Sequence, residues 1–138
     1  MLLSGKTAII SGAAGLRGIG FAAAQLFAEH GARVAIFDID QRAAEAAAEG
    51  LGSDHLGLVC DVTDLAACKR STAEAIDRFG KIDVLINNAG ITQPVKFMDI
   101  DQVSWRRIID VNLTGVFLCT QEATLERFFK CFDACLGG

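Results

Sequence analysis

The stretch Ser11-Gly-Ala-Ala-Gly-Leu-Arg-Gly-Ile-Gly20 limits what this chain can fold into more than any other. An apolar run, Ala8-Ile9-Ile10, leads into it. A helical pattern leaves it, with Ile19, Ala23, Leu26 and Phe27 expected on one buried face. Strand, glycine turn and helix in that order make a cradle for phosphate. Glycines let the backbone approach an anion closely, and the N–H groups and positive end of the new helix stabilise it. About twenty residues further on, the apolar run Val34 to Phe37 ends in Asp38, where an acidic residue can accept hydrogen bonds from the ribose hydroxyls of an adenine dinucleotide. Gly12, Gly18, Ile19 and Gly20 are therefore expected at the pyrophosphate, and Asp38 with its neighbour Ile39 at the ribose.

Helical and strand patterns alternate along the rest of the chain. Strands are expected over Thr7–Ser11, Arg33–Asp38, Leu56–Cys60 and Ile82–Asn87. Helices are expected over Gly18–His30, stopped by Gly31; over Gln41–Glu49, closed by Gly50; and over Asp64–Phe79, ended by Gly80. The third helix carries Leu65, Cys68, Thr72, Ala75, Ile76 and Phe79 on one side. The strands are short continuous apolar runs, which signals burial on both faces in a parallel sheet. The expected architecture is a doubly wound, Rossmann-like α/β sheet with right-handed crossovers and local strand order 3-2-1-4. Ligands of such sheets sit beyond the carboxyl ends of the strands, where the glycine turn, Asp38, Asp61 and Asn87-Asn88-Ala89-Gly90 all fall. Beyond Gly90, Asp99 with Gln102 reads as a helix start. A long helix follows over residues 103–132, kinked near Gly115, with Trp105 in the core. Its middle, Val111 to Cys119, is apolar nearly all round and should be buried or at an interface, which makes a homo-oligomer through this helix the expectation.

Bulk properties narrow the partners. A length of 138 residues suits one domain, and a net charge of −4 argues against a nucleic-acid surface. No window approaches the roughly 18 apolar residues of a membrane helix. The start, Met-Leu-Leu-Ser-Gly-Lys, does not read as a signal peptide, so a cytoplasmic protein is expected. Of five cysteines, Cys60 and Cys119 lie in apolar runs and Cys68 on a helical core face, as buried thiols do in a reducing compartment. Cys131 and Cys135 are spaced one helical turn apart, but the only histidines, His30 and His55, are far off in sequence, so no metal site is expected. The glycine turn lacks the Gly-Lys-Ser/Thr ending of a phosphate-loop NTPase.

Together the Ser-Gly…Gly-Ile-Gly turn, Asp38, Asp61-Val62, Asn87-Asn88-Ala89-Gly90 and Val111-Asn112 resemble the short-chain dehydrogenase/reductase family, from about Lys6 to Gln121. The resemblance implies a nicotinamide dinucleotide cofactor and hydride exchange between it and an alcohol or ketone. By it, Asp61 would bind the adenine amine with Val62 alongside. Asn88, Ala89 and Gly90 would line the cofactor and brace the fourth strand, and Val111 would lie toward the nicotinamide. Asn112 would match the active-site asparagine that supports a proton relay. Plainer roles stand beside these. Asp61 could cap the next helix, Asn87-Asn88 could form a turn, Asn112 could satisfy a helix kink, and Asp38 could be a solvated strand end.

Two features depart from the family pattern. Ala13-Ala-Gly-Leu-Arg17 makes the glycine turn longer than usual. Arg17 resembles the basic residue that binds the 2′-phosphate of NADP, whereas a carboxylate at Asp38 repels that phosphate, so NAD is expected over NADP with Arg17 serving the pyrophosphate. The family's chemistry uses a tyrosine acid/base, a lysine one helical turn later and a serine. This chain contains no tyrosine, its only lysine after Asn112 is Lys130, and no serine follows Ser104. The expectation is a truncated fold that keeps the cofactor site and lacks the catalytic half. Residues 1–121 are expected to form the dinucleotide-binding domain. Residues 122–138 should form a divergent helical tail, its stripe of Leu125, Phe128, Phe129, Phe132 and Leu136 covering surface that would otherwise be bare. A non-catalytic dinucleotide-binding or dimerising module, and a frameshifted product, are the alternatives.

Overall fold

The structure, a computed structural model, describes the backbone of residues 1–136 and the side chains of residues 1–125. Four strands, β1 (Thr7–Ser11), β2 (Arg33–Asp38), β3 (Leu56–Val59) and β4 (Val84–Ile86), form one parallel sheet in the order β3-β2-β1-β4. Helices α1 (Ile19–Glu29), α2 (Gln41–Leu51) and α3 (Leu65–Phe79) connect them. After β4 come a short 3₁₀ turn at Phe97–Asp99, α4 (Gln102–Ile109), a π-helical turn at Asp110–Thr114, and α5 (Gly115–Leu136). The expected doubly wound sheet and strand order are present.

Side-chain alternation along the two central strands supplies both layers of the core. Ile10, Val34 and Ile36 point to one face and meet Phe21, Ala24, Ala44, Ala47 and Ala48 of α1 and α2. Ile9, Ala35 and Phe37 point to the other and meet Cys68, Ala75, Ile76 and Phe79 of α3 with Cys119 of α5. Each large aliphatic chain buried here contributes about 1.5–3 kcal/mol. Helix α2 lies directly on the sheet at Gly57, where any side chain would run into the Ala44 carbonyl.

Several expectations are corrected. On α1 the buried residues are Gly20, Phe21 and Ala24, while Ile19 and Leu26 are exposed and Ala23 and Phe27 half-buried. Gly20 and Ala24 let α1 approach the sheet, with Phe21 the large side chain on its buried face. Helix α2 runs through Gly50 and stops at Gly52, whose φ of 128° ends it. Leu65 is exposed on α3. The third strand stops one residue short, and β4 is shorter at both ends. Helix α4 starts at Asp101, not Asp99: its carboxylate accepts from Ser104 N–H, and Asp99 belongs to the 3₁₀ turn. The long helix is interrupted by the π turn ending just before Gly115, which packs so tightly on Val62 that an added Cβ would lie 2.7 Å from its Cγ2. Trp105 is half-exposed, beside Phe97, Met98 and Ile100, rather than in the core. In the apolar middle of that helix Cys119 is buried, but Leu113, Val116 and Phe117 face outward. The side chains of Phe128, Phe129, Lys130, Cys131, Phe132, Cys135 and Leu136 lie outside the described residues.

Candidate functional site

At the carboxyl ends of the strands the chain turns through Gly12, whose φ of 64° an L side chain rarely adopts. A Cβ there would also lie 2.6 Å from Ala89 Cα, so the turn after β1 rests directly on the loop after β4. Gly20 has a similar constraint, since a side chain would collide with the Asn88 amide. Asn88 Nδ2 donates to the carbonyls of Ser11 and Gly12 at 3.0 and 2.9 Å, which ties β1 to β4. Sequence reasoning missed Ser11 itself. Its buried Oγ accepts from the N–H groups of Asn88 and Ala89, both at 3.1 Å. A small hydroxyl residue just before the turn glycine was the available signal.

The helix that leaves this turn begins without a cap. Gly18 stands at the N-cap position of α1 with no side-chain acceptor, and no acidic residue occupies the first turn. The first helical bond is Ala22 N–H to Gly18 O, so the N–H groups of Ile19, Gly20 and Phe21 have no acceptor within the helix. Helices α2, α3 and α4 differ: Asp40, Asp64 and Asp101 each accept from their first turns. Gly15, Leu16, Arg17, Gly18 and Ile19 are exposed, and Arg17 makes no ion pair among the described residues.

Asp38 ends β2 facing this opening. Its Oδ2 accepts from Ala14 N–H at 3.1 Å and its Oδ1 from Asp40 N–H at 3.3 Å. One N–H on each oxygen leaves a carboxylate room for further donors. Ile39 next to it is exposed. Asp61 bends back on itself, with Oδ1 accepting from both N–H and Oγ1 of Thr63 at 2.9 and 2.7 Å and Oδ2 taking neither bond. The capping role belongs to Asp64 instead. Val62 is turned into the core beneath Gly115, so its backbone rather than its side chain is available at this end.

Asn112 lies in the π turn, and its amide clamps one residue at two points: Oδ1 accepts from Ile91 N–H and Nδ2 donates to Ile91 O, both at 2.8 Å. Its carboxamide holds the loop after Gly90 in place, and a Cβ on Gly90 would lie 3.3 Å from Asn112 Oδ1. Val111 and Ala89 pack, partly buried, on the core. Asn87 turns away from the opening, donating to Thr120 Oγ1 at 3.0 Å, and its Oδ1 is buried without a partner among the described residues. The glycine turn, Asp38, Asp61 and Asn88–Gly90 thus lie together at the carboxyl ends of the strands. A separate hollow of about 600 Å³ runs along the free edge of β3, lined by Glu45, Glu49, His55, Arg70 and Glu74, and contains none of these residues.

Residues 12–128 match a family model described as enoyl-(acyl carrier protein) reductase. Over 125 residues the chain is 56% identical to an uncharacterised short-chain type dehydrogenase/reductase of Sinorhizobium fredii, covering 88% of this chain and 49% of that one. It is 42% identical to a sorbitol dehydrogenase of Cereibacter sphaeroides, covering 88% of this chain and 46% of that one. Among solved structures, a 3-ketoacyl-(acyl-carrier-protein) reductase of Brucella melitensis complexed with NADH superposes with a TM-score of 0.83 at 37% identity. That match covers 87% of this chain and 49% of the other. The chain spans about half the length of the curated relatives it matches.

Proposed function

The chain belongs to the short-chain dehydrogenase/reductase family, and we propose that its carboxyl-end crevice holds the adenosine diphosphate part of NAD. The observation that carries this reading is the uncapped start of α1. Its free N–H groups face the crevice while the other three helix starts described above are each closed by an aspartate. A dianionic pyrophosphate fits that place in charge and in hydrogen bonding. The glycines fit it sterically: an added Cβ at Gly15 meets nothing within 4 Å, and Gly12 and Gly20 have no room for one. An NADH-bound relative of the same fold supports the choice of ligand.

In this reading Gly12, Gly18, Ile19 and Gly20 hold the pyrophosphate and exposed Arg17 adds a positive charge. Asp38, with Ile39 beside it, receives the adenosine ribose. The free Oδ2 of Asp61 and the backbone of Val62 take the adenine edge. Asn88, Ala89 and Gly90 line the floor, with Val111 on the nicotinamide side. Asn112 is a positioning residue, because both ends of its amide are spent on Ile91. Asp38 favours NAD over NADP, since its carboxylate stands where a 2′-phosphate would come and already braces Ala14. When bound, the nicotinamide supplies or accepts a hydride. The chemistry this reading implies is that of an oxidoreductase acting on an alcohol or ketone. These 138 residues hold no tyrosine to move the accompanying proton, so we expect no turnover from them alone.

Residues 1–121 are read as the binding unit and 122–138 as its helical tail, with α5 crossing that boundary unbroken. The outward Leu113, Val116, Phe117 and Leu125 favour pairing with a second copy through residues 103–132. No helix among the described residues is long and apolar enough to cross a membrane. The buried free thiols suit the cytoplasm.

Calorimetric titration with NADH and NADPH tests the reading. Tighter binding of NADH, lost as a preference in Asp38→Ala, supports it. Equal affinity for both in the native chain overturns the ribose assignment, and a folded chain that binds neither overturns the whole.

A further inference from the structure

Three cysteines meet inside the described fold, in the core beneath the carboxyl-end crevice. Cys60 follows β3, Cys68 lies in the first turn of α3, and Cys119 lies near the start of α5; all three are buried and free. Cys68 Sγ stands 3.7 Å from Cys119 Sγ and 3.5 Å from the Val62 carbonyl oxygen. We propose that Cys68 and Cys119 are a disulfide-forming pair, oxidised by a hydroperoxide, that fastens α5 to α3 beneath the Asp61–Val62 turn. This inference does not rest on the cofactor reading.

The two sulfurs are already in contact and come from different helices. A bond of about 2.05 Å asks for an approach that side-chain rotation and a small helix shift supply. Cys119 has that freedom because it rides on a helix. Cys60 has less, since its N–H is pinned to the Asp38 carbonyl at 2.8 Å at the end of the sheet. Hydrogen bonds from Cys119, then from Cys60, hold the Cys68 thiol below its ordinary value, while bonding to Cys68 and burial push Cys60 and Cys119 up. Cys68 is therefore the thiol of the three that ionises most readily, and the thiolate it forms is the nucleophile.

Local opening of α5 admits hydrogen peroxide, which is small and uncharged. The Cys68 thiolate attacks one peroxide oxygen, the O–O bond breaks, and the departing hydroxide takes a proton to become water. This leaves Cys68 as a sulfenic acid. The Cys119 sulfur then attacks the Cys68 sulfur, the S–O bond breaks, and the second hydroxide leaves as water with the Cys119 proton. Two thiols lose two electrons and one peroxide becomes two waters.

Hydrogen peroxide applied to the native chain, followed by intact mass and peptide mapping, tests this. The expected result is loss of two hydrogens, one Cys68–Cys119 linked peptide, and a raised melting temperature that dithiothreitol reverses. Cys119→Ser should stop the cross-link and leave a Cys68 sulfenic acid that dimedone traps. If that variant does not fold, mapping of the native chain decides alone. A dominant link to Cys60, Cys131 or Cys135, sulfinic acid without a link, or thiols left untouched would each overturn the proposal.

Discussion

The two ends of the sheet are built from the same strands and finished differently. At the amino end, side chains close the structure. Asp83 Oδ2 accepts from Thr7 N–H at 3.0 Å and from Thr7 Oγ1 at 3.3 Å, and pairs with Lys81 at 2.9 Å. Arg33 donates to the last carbonyl of α3, Phe79 O, at 2.8 Å with its guanidinium over the Phe79 ring. His55 Nδ1 accepts from Val34 N–H at 3.1 Å. At the carboxyl end the corresponding groups are left open among the described residues: an uncapped helix, an Arg17 without an ion pair, and carboxylates at Asp38 and Asp61 with acceptor capacity to spare. Closing an end contributes stability, and leaving it open reserves hydrogen-bonding capacity for a ligand. The two ends should therefore respond to different measurements.

Mutating the closed end should cost stability first. Asp83→Ala strands the buried Thr7 N–H and should lower unfolding free energy by about 3 kcal/mol in urea melts, with NADH affinity of the folded fraction unchanged. Burial raises the Asp83 carboxyl, but Lys81, the Thr7 N–H and the charges of Lys81 and Lys6 outweigh it and hold it below the ordinary carboxylate range. Its contribution is thus present above about pH 3.9 and lost as pH falls through the lower folded value. Gly18→Asp does the reverse. It supplies α1 with the cap it lacks, so a carboxylate competes for the free N–H groups. NADH binding should weaken about 30-fold, or about 2 kcal/mol, while stability holds or rises. If both substitutions moved both quantities together, the contrast between the ends would fail.

Smaller effects sharpen it. Asp38→Ala should cost about tenfold in NADH affinity and, through the lost Ala14 bond, about 1 kcal/mol of stability, if this residue serves both purposes as proposed. Burial lowers the His55 pKa, against the opposing pull of Asp54. The folded form therefore keeps the neutral ring that accepts from Val34. Stability should be complete above the unfolded value of about 6.5 and decline as pH falls from there toward the lower folded value. Melts of the native chain and His55→Gln across that range should differ in slope at mild acid and run parallel at higher pH.

The order of strands and the gathering of Gly12, Asp38, Asp61 and Asn88 at their carboxyl ends were legible in the sequence because both depend on local chemistry: apolar runs, glycines and acids at strand ends. What the sequence concealed depends on shape. The inner face of α1 is made of Gly20, Phe21 and Ala24, one position out of step with the apolar stripe read through Ile19 and Leu26, which are exposed. Gly50 looks like a stop but continues its helix, and the left-handed turn falls at Gly52. Trp105 carries the most apolar surface of any residue type, yet α4 packs on nothing that would bury it among the described residues. The two-point grip of Asn112 on Ile91 joins residues 21 positions apart and leaves no local pattern. Ser11 was in view within the turn, but its two long-range acceptances could not be read from its neighbours.

The most direct test is an amide-resolved NMR titration of the native chain with ADP. The account predicts shifts at Ala14, Gly18, Ile19, Gly20, Ile39 and Ala89, with Thr7, Val34 and Asp83 at the opposite end unmoved. Shifts clustered at the amino end or along the free edge of β3, or a folded spectrum that ADP leaves unchanged, would contradict it.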